Sequence, residues 1–255
     1  MKRILVLLLL SSNVFAGSTG VNNVYIEQVG NANTITIDQI GGANNVSGTT
    51  LNIPLLYGAD NTITAFVPAA ASSSNYATIT GNSNQVTISH TGDNNWAQYN
   101  ISGANNIYNS TVTGNQNQTL INMGSSGAVN GNIVTETIAG DLNYIIQNLT
   151  KGSIHSTIDV TGSNNQVTTR LNSTNGVVTT TVDGGFNNFI NEQDDGGVGH
   201  QLTQMVVGSF NSFVTQQQGT NDSMINISTT GDNNTITVRS TNGASIVNSI
   251  TAVSR

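Results

Sequence analysis

Gln28-Val29-Gly30-Asn31-Ala32-Asn33-Thr34-Ile35-Thr36-Ile37-Asp38-Gln39-Ile40-Gly41 contains the pattern on which the whole chain is built. From Asn33 onward the side chains alternate: Asn33, Ile35 and Ile37 fall on one face, Thr34, Thr36 and Asp38 on the other. That period of two marks a half-buried strand. Gly30-Asn31-Ala32 before it supplies a tight turn, where glycine and asparagine tolerate positive φ. The pair of a glycine and an asparagine three residues later returns close to every eleven residues: Gly20/Asn23, Gly30/Asn33, Gly41/Asn44, Gly81/Asn84, Gly92/Asn95, Gly103/Asn106 and Gly114/Asn117. It continues at about twice that spacing as Gly140/Asn143, Gly162/Asn165, Gly185/Asn188, Gly208/Asn211 and Gly231/Asn234, with weaker anchors at Gly152, Gly176, Gly197, Gly219 and Gly243 between them. A short fixed period of this kind is the signature of a repeat architecture.

Each unit therefore reads as one short strand and one sharp turn, and two units make a flattened coil of 22–23 residues. The expected fold is all-β: a β-solenoid of about ten such coils, with two facing parallel sheets and no cap helix. Coils would stack at about 4.8 Å, placing like residues above like. The anchor asparagines would then form a ladder of side-chain amides, which turns a costly buried polar group into a satisfied one.

Composition agrees with a chain of this type. Only 7% of the 255 residues are charged, there is no cysteine, and there are two prolines. Disulfides, thiolate metal sites and cysteine nucleophiles are excluded together. Residues 1–16 read as a signal peptide, with Lys2 and Arg3, the apolar run Ile4 to Leu10, and Val14-Phe15-Ala16 before a cleavage point near Ala16/Gly17. The expected destination is secreted, extracellular or cell-surface. Its removal leaves Lys151, Arg170, Arg239 and Arg255 as the basic residues, against thirteen carboxylates. Such a balance offers no footprint for nucleic acid, and no segment reads as a transmembrane span. The remaining chain divides into N-terminal repeats at 17–46, an atypical insertion at 47–77 holding Pro54 and Pro68, and the main solenoid at 78–255. Gly58/Asn61 followed by Thr62-Ile63-Thr64 reads as one coil retained within the insertion.

The stretch beginning at Gln28 resembles a curlin repeat, the unit of bacterial curli subunits, whose pattern is Gln-x-Gly-x-x-Asn-x-Ala-x-x-x-Gln. Gln28, Gly30, Asn33 and Gln39 stand at the matching offsets, with Ile35 in place of the small residue. Later units keep the glycine and asparagine and put Ile or Val where the leading Gln belongs. The resemblance implies a secreted subunit that polymerises into surface amyloid fibres used in adhesion and biofilm. It implies no cofactor, no catalysis, and partners that are further copies of itself or related fibre subunits. The alternative is an adhesin or virion-surface solenoid whose lateral face binds a carbohydrate or receptor.

No residues read as a catalytic, cofactor or metal site. His90, His155 and His200 fall at different phases of the repeat and are read as surface or turn residues. Asp194-Asp195-Gly196-Gly197 reads as an acidic turn, and Asp93, Asp141 and Asp232 as turn residues following an anchor glycine. Trp96, Tyr99 and Tyr108 read as packing aromatics. Thr34-x-Thr36, Thr62-x-Thr64 and Thr235-x-Thr237 are pairs of the kind found in the flat threonine arrays of ice-binding solenoids. Gln85, Trp96, Gln98, Tyr144 and Phe189 stand at what reads as the equivalent outward positions, so no regular array is expected.

Overall fold

The computed structural model describes residues 22–24, 26–47, 77–124, 127–194 and 199–241. The signal sequence, the Gly58/Asn61 coil, residues 195–198 and the last residues 242–255 lie outside the described residues. Every regular element among those described is a strand, and the strands form one sheet of twelve (sheet A) and one of eight (sheet B). The chain alternates between them: Gln85–Thr91 lies in B, Trp96–Ala104 in A, Ile107–Thr113 in B, Gln118–Met123 in A, and so on to Met224–Thr230 in B and Thr235–Thr241 in A. All pairings are parallel, each strand lying beside the equivalent strand of the next coil. The fold is a β-solenoid.

Coil lengths follow from the hydrogen-bonded asparagines, which are separated by 22 residues in most coils, 23 or 24 near the end, and 26 where the chain passes through 124–132. The described residues complete about seven turns rather than ten. The difference lies in the segments outside the described residues, which the sequence count had included.

The core sits between the sheets and is built of stacked columns. Inward from sheet B come Val86 and Ile88, Tyr108 and Val112, Val134 and Ile138; inward from sheet A come Ala97, Tyr99 and Ile101, then Ile121 and Met123, Ile145 and Leu149. Like side chains fall on like: Phe189 and Phe213 stack with ring centroids 4.8 Å apart and planes 6° from parallel. The two sheets differ outside. Sheet B shows strict alternation, as in His155–Thr161, where every second residue is exposed. In sheet A, outward residues such as Leu120, Ile146, Thr168 and Ile190 are buried as well.

The first coils reveal how the 47–77 interruption is built in. Asn45, Val46 and Ser47 pair with Trp96, Ala97 and Gln98, while Thr78, Ile79 and Thr80 pair with Asn100, Ile101 and Ser102. Ser47 and Ala77 therefore occupy neighbouring positions of a single strand of sheet A. The coil before it has the same register, with Asn23 and Val24 on Asn45 and Val46, and Ile26 on Ala77. Residues 48–76 enter and leave between two consecutive positions of the ladder, without a change of register on either side. Direct joining of Ser47 to Ala77 is accordingly expected to leave a protein that still unfolds cooperatively and keeps its strand-rich circular dichroism. Loss of the cooperative transition would show that residues 48–76 are needed to build the fold.

Candidate functional site

The turn is the repeating site, and its geometry is set by how closely the coils approach. In each Gly-x-x-Asn turn the glycine has positive φ, as at Gly81 (124°), Gly114 (122°) and Gly162 (108°). The third residue, just before the asparagine, is left-handed: Ala32 (56°), Asn94 (58°), Leu142 (58°), Phe186 (58°) and Phe210 (60°). A Cβ on Gly81 would lie 1.8 Å from the carbonyl oxygen of Gly103 in the next coil, and one on Gly162 would lie 2.1 Å from that of Gly184. Glycine is thus fixed twice, by conformation and by the contact. The left-handed position costs a bulky residue on the order of 1–3 kcal/mol and is free of such contact. Phe186 and Phe210 occupy it more than half exposed, stacked at 5.0 Å.

On the turn leading from sheet B to sheet A the asparagines form one unbroken ladder: Asn22, Asn44, Asn95, Asn117, Asn143, Asn165, Asn187, Asn211 and Asn234. In each step the backbone N–H of the later asparagine donates to Oδ1 of the earlier one, at 2.8–3.1 Å. From Asn117 onward the later Nδ2 donates to the same oxygen. The other Nδ2 proton goes forward to the next coil's anchor carbonyl, as from Asn143 to Gly162 and from Asn165 to Gly184. Each amide from Asn117 to Asn187 therefore uses both donors and both lone pairs. Two anchors shift by one residue from the sequence reading. Gly184/Asn187 serve the ladder where Gly185/Asn188 were expected, Asn188 being the first residue of a strand. Asn22 likewise serves in place of Asn23.

A second ladder runs the opposite way along the outside of the same turns. The residue after the glycine accepts from the equivalent backbone N–H of the preceding coil: Gly42 N–H donates to Asp93, Asp93 to Asn115, Asn115 to Asp141 and Asp141 to Ser163. Ser209 donates to Asp232 in the same way, at 2.6 Å. A short oxygen-bearing side chain is the only type that reaches this N–H, which accounts for Asp, Asn and Ser at that position.

The turns leading from A back to B begin in the same manner and then change. Asn84 donates to Asn33, Asn106 to Asn84, and Asn132 to Asn106. Asn33 also reaches forward to the carbonyl of Gly81, and Asn84 to that of Gly103. The next four residues of this column are Ile154, Gly176, His200 and Ser223. In the last of these coils the amides come from the strand instead: Gln193 Nε2 donates to the carbonyls of Val177 and His200, and Gln217 Nε2 to those of Gln201 and Ser223. Gln193 also occupies the space where a Gly176 side chain would be, 2.5 Å from that Cβ position. His200 takes the asparagine's part, its Nδ1 accepting from the N–H of Ser223 at 3.1 Å. Gln28 and Gln39 start no column of glutamines, since they lie beside Ile79 and His90.

One polar cluster crosses the core. Glu136 receives Tyr108 Oη at 2.9 Å and Gln147 Nε2 at 2.7 Å, and Ser156 donates to Gln147 at 2.6 Å. Burial pushes the Glu136 carboxyl up to about 7, against the pull of the hydrogen bonds from Gln147, Tyr108 and Ser110. His90 is also buried, with no hydrogen-bond partner at either ring nitrogen, and burial lowers it to about 4. His90 and His200 are thus interior residues rather than surface ones, because each stands at an inward or ladder phase of the repeat; His155 is exposed on sheet B. Tyr99 and Tyr108 are fully buried packing residues, and Asp93, Asp141 and Asp232 are turn acceptors. Asp194 ends a strand and accepts from Asn172, while Asp195, Gly196 and Gly197 lie outside the described residues. Among the described residues no three His, Cys, Asp or Glu side chains come together as metal ligands, and no helix is long and apolar enough to cross a membrane. Comparison of the chain with family models, with curated proteins and with solved structures found no match.

Replacing Asn165 by Ala strands a Gly184 carbonyl and the N–H and Nδ2 of Asn187, and is expected to cost about 3 kcal/mol in urea unfolding. Asn234, the last described member, is expected to cost distinctly less, and equal losses would contradict the ladder account. The two buried titrating groups tilt stability in opposite directions. Glu136, raised in the folded state, contributes fully below about 4.5 and loses its contribution as pH rises to about 7. His90, lowered in the folded state, contributes fully above 6.5 and loses its contribution as pH falls to about 4. Their slopes largely cancel in the wild type. Glu136→Gln removes one of them, so its stability should climb from pH 4 to 6.5 and exceed the wild type at pH 8 by ~2 kcal/mol, read from denaturation midpoints.

Proposed function

We propose that this protein is a secreted structural subunit that adds copies of itself end to end, forming curli-like fibres for adhesion and biofilm at the cell surface. The observation that supports this reading is the uniform polarity of the ladder from Asn22 to Asn234. In that ladder each coil turns a side-chain oxygen to the coil after it and a backbone N–H to the coil before it, so the contact that joins coil to coil within a subunit is the one that would join subunit to subunit. Parallel sheets running the same way add edge strands able to pair with an incoming copy by β-augmentation. From Asn44 to Asn187 the Nδ2 groups donate to the following coil, whereas Asn234 Nδ2 turns back to Gly231 of its own turn at 3.2 Å. A following coil would restore the interior pattern there.

The test is to dilute the protein lacking residues 1–16 out of denaturant and follow amyloid-dye fluorescence beside negative-stain electron microscopy. Unbranched fibres, with a lag abolished by preformed seeds, are the expected result. A persistent monomer or small closed oligomer with strand-rich circular dichroism and no dye response would sink polymerisation. That outcome would favour a solenoid acting through its lateral face.

A further inference from the structure

The exposed face of sheet B carries an ordered lattice that the sequence alone conceals. Its eight strands present thirty-two outward positions, of which sixteen hold Thr or Ser, three hold Asp, one holds His155, and none holds Lys, Arg, Glu, Phe, Tyr or Trp. The parallel register puts Thr36, Thr87, Thr135, Thr157, Thr179 and Thr203 in one column, broken only by Asn109 before Thr135. The adjacent column holds Ser89, Thr111, Thr137 and Thr181, with Asp159 between the last two and Met205 after them, so that Thr135/Thr137 and Thr179/Thr181 form paired ranks. Most of the residues read from the sequence as interrupting such an array belong elsewhere. Trp96, Gln98 and Tyr144 lie on sheet A, Phe189 points into the core, and Gln85 alone is on this face, in its outermost column.

Strand propensity does not account for the distribution. Sheet A has the same need for strand formers, yet in its six strands from Trp96–Ala104 to Ser212–Gln218 the outward positions include a single threonine, Thr168. Through these middle coils threonine is concentrated on the outer face of sheet B, while sheet A carries outward threonines mainly in its end strands, as Thr78 and Thr80 and as Thr235, Thr237 and Thr241.

We propose that the outer face of sheet B binds ice. The hydroxyls and methyls repeat at about 4.8 Å from coil to coil and about 6.6 Å along each strand, both on the scale of the oxygen repeats of hexagonal ice. A β-branched side chain is restricted at χ1, so the lattice has little rotamer freedom to lose when it meets a surface. The partner is selected by what the face lacks. Without Lys or Arg it has no hold on phosphate or an anionic membrane, and without Phe, Tyr or Trp it has no platform on which a sugar ring stacks. A rigid array of hydroxyls and methyls, with Asp38, Asp159 and Asp183 outside the central threonine column, suits an ordered layer of water whose hydrogen bonds continue into a crystal. The face belongs to a single subunit, so the inference is independent of polymerisation.

The experiment is nanolitre osmometry with observation of crystal habit, on the wild-type protein and on Thr157→Lys, Thr203→Lys and Thr235→Lys. Thr157 and Thr203 are exposed in the central column in different coils; Thr235 is exposed on sheet A. The wild type should facet ice and show freezing hysteresis above that of an inert protein at equal mass. Thr157→Lys and Thr203→Lys should each lower the hysteresis several-fold with unchanged circular dichroism, and Thr235→Lys should leave it intact. Three results would overturn the proposal: a wild type that neither facets ice nor delays its growth, activity that survives both column substitutions, or activity that falls equally with Thr235→Lys. Retention on crystalline cellulose or chitin without any effect on ice would overturn it too, and would place a polysaccharide on this face.

Discussion

The distance between coils, fixed near 4.8 Å by parallel backbone hydrogen bonds, is the constraint from which the rest of the molecule follows. At the turns it brings the carbonyl of one anchor glycine to where the Cβ of the residue below would be, so no other residue fits. It sets the reach of one asparagine to the next and makes the amide the right length to span a coil. It also places the short oxygen side chains of Asp93, Asn115, Asp141 and Ser163 within reach of the N–H one coil away. Two ladders of opposite polarity therefore bind successive B-to-A turns, the outer one interrupted where Gly185 offers no side chain to the coil of Ser163.

The A-to-B turns show how that requirement is met by other means. Once the asparagine column has passed Asn132, the buried carbonyls still need donors, since an unsatisfied buried group costs about 1–3 kcal/mol. In the last coils Gln193 and Gln217 provide them from the facing strand, and they do so in the column where earlier coils carry Ile101, Met123, Leu149 and Leu171. A polar residue leaves the turn and another enters the core opposite it. His200 fits the same scheme as an asparagine substitute, which gives its buried imidazole a structural reason without any catalytic one.

Much of this was legible in the residues. The period of eleven, the alternation after Asn33 and the Gly/Asn spacing specify strands, turns and coil length, because each depends on local geometry that glycine, asparagine and β-branched residues express directly. Three things were not. Gly184-Gly185-Phe186-Asn187-Asn188 offers two registers, and only the stacked neighbours choose Asn187. The assignment of outward positions to sheet A or B needs the three-dimensional coil, and merging them scattered the threonines of one face among the residues of the other. The interior places of His90 and Glu136 were hidden because ionisable side chains read as surface. Their burial depends on inward columns shared with Val112 and with Ser110 and Ile158.

The strand opened between Ser47 and Ala77 has a consequence for how such a molecule changes over time. A backbone that accepts twenty-nine residues between neighbouring positions while the pairings on both sides keep their register is a ready port for cargo. Sequence can be gained, lost or exchanged there while selection holds every coil constant. Any polypeptide grafted at that point would be carried at a fixed place on the solenoid, between two strand positions whose register does not depend on the cargo.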